Sequence, residues 1–234
     1  MTTKREIQDW NRRKWEHKNR AMYEKFARNK WPWFSERLDP DIDEYLRANA
    51  LSNLDILDVG TCSGSQGIEL ARRGNRVVGI DISETALERA RFAAAGETGL
   101  TINFVNDDIA ESRLDDNRFD LVLDRGCYCS ICSFNHDEYV ASVRRLLRPG
   151  GVLLLKTMSS EDQRFVTYDK VGGREVQMPF HFTVEQLRKL MSPHFVIEQM
   201  RDSYFYSSVL DEPAKARFVV LRNNPKKQQE AARQ

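Results

Sequence analysis

Three acidic positions follow apolar segments of the sequence and could bind the polar groups of one ligand. Asp58 lies just before a loop that reads GTCSG and begins at Gly60. Asp81 follows that glycine by 21 residues, and the pair Asp107–Asp108 ends the next apolar segment. If the apolar segments are parallel strands, their carboxyl ends meet at one edge of a sheet. Carboxylates at that edge can accept hydrogen bonds from ribose hydroxyls and from an adenine amino group.

The loop sequence indicates which ligand this edge could hold. A dinucleotide-binding loop needs glycine at relative positions 1, 3 and 6, so that a pyrophosphate can approach the backbone. The corresponding residues here are Gly60, Cys62 and Ser65, so two of the three glycines are missing. A ligand with a ribose, an adenine and a cationic tail suits the acidic edge better than a phosphate ester does. S-adenosylmethionine is such a ligand, with Asp58 near its positive end and the loop amides on its carboxylate.

The four cysteines could instead form a metal site. Cys127, Cys129 and Cys132 have the spacing C-x-C-x-x-C, and Cys62 could be a fourth ligand if the first and fourth strands are neighbours. Zinc there would occupy the position of methyl transfer, so we predict free thiols and no metal site. A reversible disulfide that switches activity is a weaker alternative.

Alternating strand and helix patterns position these residues. Five apolar segments predict parallel strands: 54–59, 76–81, 102–107, 119–124 and 152–157. Amphipathic segments between them predict helices, of which the last covers 136–151 and is ended by Pro149 and Gly150. Near the end, a predicted helix at 183–191 precedes two strands, 195–206 and 216–223, which should pair antiparallel because no helix separates them. The predicted fold class is α/β, a Rossmann-like doubly wound sheet, mostly parallel with an antiparallel C-terminal strand, plus an N-terminal helical lid.

The distribution of charge narrows the possible partners. The net charge of the 234 residues is +1, yet residues 1–31 hold ten Lys or Arg and four Asp or Glu. This basic arm could touch nucleic acid or shield an anionic pocket, and no base-reading module accompanies it, so we predict no nucleic-acid partner. We also predict a cytoplasmic protein with no membrane partner. The sequence has no apolar run of about 20 residues, no secretion signal and no disulfide framework.

Five fragments resemble the class I S-adenosylmethionine-dependent methyltransferases in their order and spacing. They are ILDVGTCSG, VVGIDIS, NDDIA, FDLVLD and LLRPGGVLLL, and they cover residues 54–156. The resemblance implies that the cofactor is S-adenosyl-L-methionine. It also implies a methyltransferase domain at 51–224, between a helical arm or lid at 1–50 and a polar tail at 225–234.

The resemblance further implies the residues that contact the cofactor. Asp108 is preferred to Asp107 for the adenine because it directly precedes Ile109 and Ala110. The positions carried over are Asp58, Gly60 and Gly64 for the methionine part, Asp81 and Ile82 for the ribose side, and Asp108 and Ile109 for the adenine. The predicted cofactor set also includes Trp33, Thr61, Cys62 and Asp124.

The step Asp-Arg-Gly at 124–126, with KWPWF upstream and MPFHFTVEQL downstream, resembles thiopurine S-methyltransferases and related tellurite-resistance methyltransferases. This resemblance covers most of residues 23–222. The matching arginine of the thiopurine enzymes lies at the substrate pocket, which implies that Arg125 faces the methyl acceptor. A cation there would lower the pKa of a bound thiol, which needs no strong base.

We therefore predict methyl transfer to a small molecule, through a thiol or another soft nucleophile. The alternatives are an N- or O-methyltransferase of a biosynthetic pathway that uses His181 or an acidic residue as base, and a non-catalytic S-adenosylmethionine-binding protein. The predicted assembly is a monomer or weak dimer. Seven residues are expected to line the acceptor pocket: Trp31, Phe34, Cys127, Tyr128, Phe180, Tyr204 and Tyr206.

Overall fold

The computed structural model describes residues 3–25, 33–207 and 210–224, so Trp31 and the tail at 225–234 lie outside the described residues. The strands within these ranges are β1 Asp55–Val59, β2 Arg76–Asp81, β3 Thr101–Asn106, β4 Phe119–Arg125, β5 Leu147–Met158, β6 Tyr168–Val171, β7 Arg174–Gln177, β8 Val196–Phe205 and β9 Ala214–Arg222. The α-helices are α1 Lys4–Lys25, α2 Pro40–Ala48, α3 Ser65–Arg72, α4 Glu84–Ala95, α5 His136–Leu146 and α6 Val184–Met191.

Seven strands form one sheet in the order β3-β2-β1-β4-β5-β9-β8. β1 to β5 pair parallel with their neighbours, and β9 pairs antiparallel with both β5 and β8. The predicted fold class is confirmed, as is the antiparallel pairing of the last two strands. The strand order reverses between β1 and β4, which creates a crevice at the carboxyl ends of the strands.

Apolar side chains cover both faces of the sheet. Leu57 and Val122 are buried in a core that includes side chains of α5 and α6, whereas Ile56 and Leu121 are buried on the other face with side chains of α2 and α3. Successive strand residues point to opposite faces, so burial on both sides requires the near-continuous apolar runs seen in the sequence.

The N-terminal arm contains one long helix that crosses the carboxyl-end edge of the sheet. The indole Nε1 of Trp15 donates a hydrogen bond of 3.0 Å to the carbonyl of Ser130, which follows β4. Glu16 accepts a hydrogen bond of 2.8 Å from Ser83, which follows β2. No helix in the described part of the chain, α1 included, is long and apolar enough to cross a membrane.

Two local features differ from the sequence predictions. α5 ends at Leu146, before Pro149, because Leu147 to Gly151 extend along β4 and β9 as the first part of β5. The residue before a proline disfavours helix, which fits this earlier end. The hairpin of β6 and β7 was not predicted, although its turn at Gly172–Gly173 has the positive φ angles that a two-glycine turn permits.

Candidate functional site

Three residues of the loop between β1 and α3 have positive φ angles. They are +65° at Gly60, +52° at Cys62 and +78° at Gly64. A β-carbon at Gly60 would lie 2.8 Å from Cβ of Cys127, so the loops after β1 and β4 approach as closely as glycine permits. Cys62 adopts a left-handed conformation that costs a residue with a β-carbon roughly 1–2 kcal/mol, and its Sγ lies 3.4 Å from Oη of Tyr23 on α1.

Asp58 and Asp81 are carboxylates held at the ends of β1 and β2 by neutral donors. Thr61 donates a hydrogen bond of 2.6 Å to Asp58, and the amides of Cys62 and Ser83 donate bonds of 3.0 and 2.9 Å to Asp81. Burial raises the pKa of Asp58 to about 6 and that of Asp81 to about 6. Within the described residues neither carboxylate has a salt-bridge partner. Both positions therefore favour a ligand that donates hydrogen bonds or carries positive charge.

The two aspartates after β3 have different environments. Asp107 is buried and accepts hydrogen bonds from the Oγ of Ser112, at 2.5 Å, and from the amide of Arg113. Asp108 is half-buried, caps the next turn by accepting from the amide of Ala110 at 3.0 Å, and has its pKa raised by burial. Asp107 therefore stabilises its own loop, and Asp108 is the carboxylate with more access to a ligand.

The isoleucines of the predicted cofactor set lie beside these carboxylates. Ile82 directly follows β2, and its carbonyl accepts a hydrogen bond of 3.3 Å from the side chain of Asn106 at the end of β3. Ile109 is buried next to Asp108. The edge thus brings together three carboxylates that have no salt-bridge partner in the described residues, a glycine turn and an apolar side chain. The carboxylates can accept hydrogen bonds from a nucleoside, and their negative charge suits a cationic tail. S-adenosylmethionine has both a nucleoside and a cationic tail.

Asp124 stabilises the loop after β4. Its side chain is fully buried and accepts hydrogen bonds from the amides of Cys127 and Tyr128, at 2.8 and 2.9 Å, and from the hydroxyl of Tyr139 at 2.7 Å. Burial raises its pKa to about 7. The structure thus shows that Asp124 holds the loop after β4 together, and its contact with the cofactor stays a prediction.

The guanidinium of Arg125 donates hydrogen bonds to three oxygen atoms of the protein. Its Nε donates to Asp39 at 2.9 Å, one Nη donates to the carbonyl of Trp33 at 2.8 Å, and the other donates to the carbonyl of Tyr206 at 3.4 Å. Only 7% of its side chain is exposed. The guanidinium connects β4 to the start of α2 and to the end of β8, and contact of Arg125 with the acceptor stays a prediction.

A buried group of charges surrounds that arginine. Lys156 of β5 is fully buried, and its Nζ lies 2.7 Å from a carboxylate oxygen of Asp39 and 2.7 Å from one of Asp41. Arg201 of β8 also pairs with Asp41, at 2.7 Å. Burial would raise the pKa of Asp41, yet hydrogen bonds from Lys156 and Ser203 hold it below its usual value. Sequence analysis missed this group, although a lysine inside the apolar strand VLLLKT was a signal of a buried ion pair.

The cysteines are free thiols. Cys129 and Cys132 are buried, and Cys62 and Cys127 are partly buried. Burial raises the pKa of Cys62 and of Cys129 to about 11, and burial together with Asp124 raises that of Cys127. These thiols are therefore protonated at neutral pH and are poor nucleophiles. In residues 3–25, 33–207 and 210–224, no group of three His, Cys, Asp or Glu side chains could hold a metal ion.

Two of the residues predicted to line the acceptor pocket, Tyr128 and Phe34, are buried. Tyr128 is fully buried, and its ring centroid lies 5.0 Å from that of Phe182 and 4.6 Å from that of Tyr139, so it belongs to the core. Phe34 is also buried and lies at a groove formed by α3 and α4, next to Ile68. Both side chains complete packing inside the domain, and their contact with an acceptor stays a prediction.

Phe180, His181, Tyr204 and Tyr206 remain possible acceptor contacts. Phe180 is half-buried, and its amide donates a hydrogen bond of 2.7 Å to the carbonyl of Cys129. His181 is only 4% exposed, neither of its ring nitrogens has a hydrogen-bond partner in the described residues, and burial lowers its pKa. Tyr204 and Tyr206 are exposed at the end of β8, with ring centroids 6.2 Å apart.

Sequence analysis assigned no site role to the charged residues of α1. Arg12 donates a hydrogen bond of 3.0 Å to Asn106 after β3, and Lys18 lies against the rings of Trp15 and Trp33. The signal was the interleaving of lysine and tryptophan at helical spacing in the arm. These residues bring cations to the same edge that carries the buried carboxylates.

This chain is similar in sequence to known proteins. The profile of a family described as "Methyltransferase domain" matches residues 56–151. EEF1A lysine methyltransferase 2 of Danio rerio is 28% identical over 172 residues, which cover 70% of this chain and 69% of that protein. An uncharacterized methyltransferase of Schizosaccharomyces pombe is 32% identical over 108 residues, which cover 46% of this chain and 74% of that protein.

A solved structure shares the fold over nearly the whole chain. It is the 1,6-didemethyltoxoflavin-N1-methyltransferase of Burkholderia thailandensis, with bound 1,6-didemethyltoxoflavin and S-adenosylhomocysteine. The TM-score is 0.69 at 18% identity, and the match covers 96% of this chain and 92% of that one. At this identity the likeness shows a common fold.

Proposed function

Because this chain belongs to the class I S-adenosylmethionine-dependent methyltransferases, we propose that it methylates a small molecule at a thiol or another soft nucleophile. S-adenosylmethionine supplies an electrophilic methyl group when it is bound. Asp81 would hold the ribose hydroxyls, Asp108 and Ile109 the adenine, and Asp58 with the Gly60 loop the methionine end. Two observations support these roles: burial raises the pKa of Asp58 and Asp81, which have no salt-bridge partner in the described residues, and the loop leaves no space for a β-carbon at Gly60.

The acceptor would enter between α1 and the loop after β4. The hydrogen bonds of α1 to Ser83 and Ser130 place it over both loops, which supports a lid that excludes water. We propose this role for the arm at 1–50, next to a methyltransferase domain at 51–224 and a polar tail at 225–234. A cytoplasmic monomer or weak dimer and a place in the thiopurine-type subgroup remain part of the proposal.

The environment of Asp124 is the observation that supports the choice of acceptor atom. This carboxylate stands at the end of β4, and three donors already occupy it. An alcohol acceptor needs a base that removes its proton, whereas a thiol has a reference pKa near 8.5 and ionises partly at neutral pH. A soft nucleophile therefore suits this edge best.

An N- or O-acceptor is the second candidate, and His181 is the observation that favours it. A buried imidazole whose pKa is lowered stays neutral at pH 7 and can accept a proton. The similarity to a lysine methyltransferase adds a protein amine to the acceptors that deserve testing.

The rate of S-adenosylhomocysteine formation with matched acceptors tests the proposal. We would compare thiophenol, aniline and phenol, each with and without ring substituents, and a set of lysine peptides. We expect turnover with thiols at rates at least tenfold above those with amines and phenols. Faster turnover with an amine, a phenol or a lysine peptide would refute the choice of a soft nucleophile.

The substitution Asp81→Asn should weaken S-adenosylhomocysteine binding by roughly 1.5–3 kcal/mol, because a charged acceptor of ribose hydrogen bonds is lost. The pKa of Asp81 is about 6 in the free protein, and that of Asp58 is about 6 as well. Hydrogen bonds to the ionised carboxylate favour the charged form, so binding affinity should fall as the pH drops through about 6.

Calorimetry from pH 5 to 8 measures both effects, and Asp115→Asn, at an exposed carboxylate, is the control. The wild-type affinity should fall more steeply below pH 6 than that of Asp81→Asn, which lacks one of the titrating carboxylates of the site. Equal affinities, or parallel pH profiles, would remove Asp81 from the cofactor site.

A further inference from the structure

Lys18 of α1 lies over the loops at the carboxyl ends of the strands. Its Nζ is 4.6 Å from the ring centroid of Trp15 and 5.3 Å from that of Trp33. Trp15 is fixed by its hydrogen bond to Ser130 after β4, and Trp33 is fixed by the hydrogen bond from Arg125 to its carbonyl. The ammonium group is therefore held at the crevice between two aromatic faces.

This ammonium group has no anionic partner in the part of the chain that the structure describes. The neighbouring cations of α1 differ, because Lys14 pairs with Asp169 and Arg20 pairs with Glu16. Lys18 is half-buried, and both burial and the charge of Lys14 lower its pKa. A partly desolvated cation without a counter-ion is costly, and aromatic faces compensate only in part, by about 0.5–2 kcal/mol.

The groups that face Lys18 from other elements leave its charge uncompensated. Asp169 of β6 is engaged by Lys14, and the thiols of Cys62 and Cys129 are protonated because burial raises their pKa values. Arg125 does not reach this space, since its guanidinium is bound to Asp39 and to two carbonyls. Lys18 is thus a cation at the crevice that is available to a ligand, and it lies beside the loop after β4, whereas Arg12 lies farther along the edge at Asn106.

We propose that Lys18 binds an anionic group of the methyl acceptor, such as a carboxylate on an aromatic or other apolar body. The anion would pair with the ammonium group, and the apolar body would contact the faces of Trp15 and Trp33. This inference rests on the proposed entry of the acceptor between α1 and the loop after β4. It assigns the recognition of negative charge to α1.

Binding of matched acids and neutral analogues tests the proposal. The probes are 4-mercaptobenzoate and 4-methylbenzenethiol, 4-hydroxybenzoate and 4-methylphenol, and 4-aminobenzoate and 4-methylaniline. Calorimetry is run with saturating S-adenosylhomocysteine, and product analysis identifies the methylated atom. For at least one pair we expect wild-type protein to bind the acid about tenfold more tightly, which corresponds to about 1.4 kcal/mol.

Three variants assign that preference to one side chain. Lys18→Gln should remove the tenfold preference, Lys18→Arg should keep most of it, and Arg13→Gln, at an exposed position of the same helix, should leave it unchanged. The affinity of each variant for S-adenosylhomocysteine shows that the fold and the cofactor site are intact. If wild-type protein prefers no acid over its neutral partner, or if the preference survives in Lys18→Gln, the proposal is wrong.

The same probes separate this inference from the proposed function. Transfer to nitrogen or oxygen of an acid that needs Lys18 would refute the soft nucleophile and leave the role of Lys18 standing. Transfer to thiols without any preference for the acid over its neutral analogue would support the soft nucleophile and refute the role of Lys18.

Discussion

The substitution Arg125→Met should lower the free energy of unfolding by about 3–5 kcal/mol, because it removes one partner from a buried group of charges. Asp39 would keep Lys156 but lose the hydrogen bond from Arg125, and the carbonyls of Trp33 and Tyr206 would lose their donor. The effect should appear as a lower midpoint in chemical denaturation. The acidic limb of the rate profile should stay in place, since the guanidinium is engaged by Asp39 and by two carbonyls.

Arg201→Met is the matched control for this prediction. Arg201 pairs with Asp41 in the same group, but its side chain is 35% exposed, so its removal should cost only about 1 kcal/mol. A variant Arg125→Met with near wild-type stability and a shifted pH profile would show that Arg125 acts on the acceptor after all.

The substitution Gly60→Ala should destabilise the protein by about 2–4 kcal/mol, through a left-handed backbone and an overpacked contact. The new β-carbon would lie 2.8 Å from Cβ and 2.9 Å from Sγ of Cys127. Because the two loops must then separate, the affinity for S-adenosylhomocysteine should fall as well. Denaturation and calorimetry measure the two effects.

Gly99→Ala isolates the backbone contribution. Gly99 has a φ of +82°, and a β-carbon there would meet no atom within 4 Å, so we expect a loss of about 1–2 kcal/mol and unchanged cofactor affinity. If Gly60→Ala behaves like Gly99→Ala in both measurements, the close approach of the two loops has no role in binding.

The sheet could be predicted because local sequence decides it. β2 is an apolar run that ends in Asp81, and β4 is one that carries Asp124 just before its last residue; parallel strands buried on both faces require such apolar runs. The positions of Asp58, Asp81 and Asp108 at one edge follow from the strand order, which was available from the resemblance. The end of α5 was misplaced because the segment LRPGG pairs with β4 and β9, and this pairing is not visible in local sequence.

The partners of individual side chains could not be predicted, because they lie far away in sequence. Asp39 is 86 residues from Arg125, and nothing near Arg125 indicates that a helix cap supplies its counter-ion. Tyr128 likewise follows β4 in a stretch that could face solvent, yet it packs against residues of α5 and against Phe182. Side chains at the acceptor side depend on such distant packing, whereas the cofactor side depends on strand ends.

A crystal structure with S-adenosylhomocysteine tests the central claim most directly, namely that the buried carboxylates at the ends of β1, β2 and β3 hold the cofactor. The account predicts the ribose hydroxyls on Asp81, the adenine beside Asp108 and Ile109, and the amino-acid end at the Gly60 loop with Asp58. A complex in which the nucleoside binds away from Asp81 and Asp108 would contradict the account.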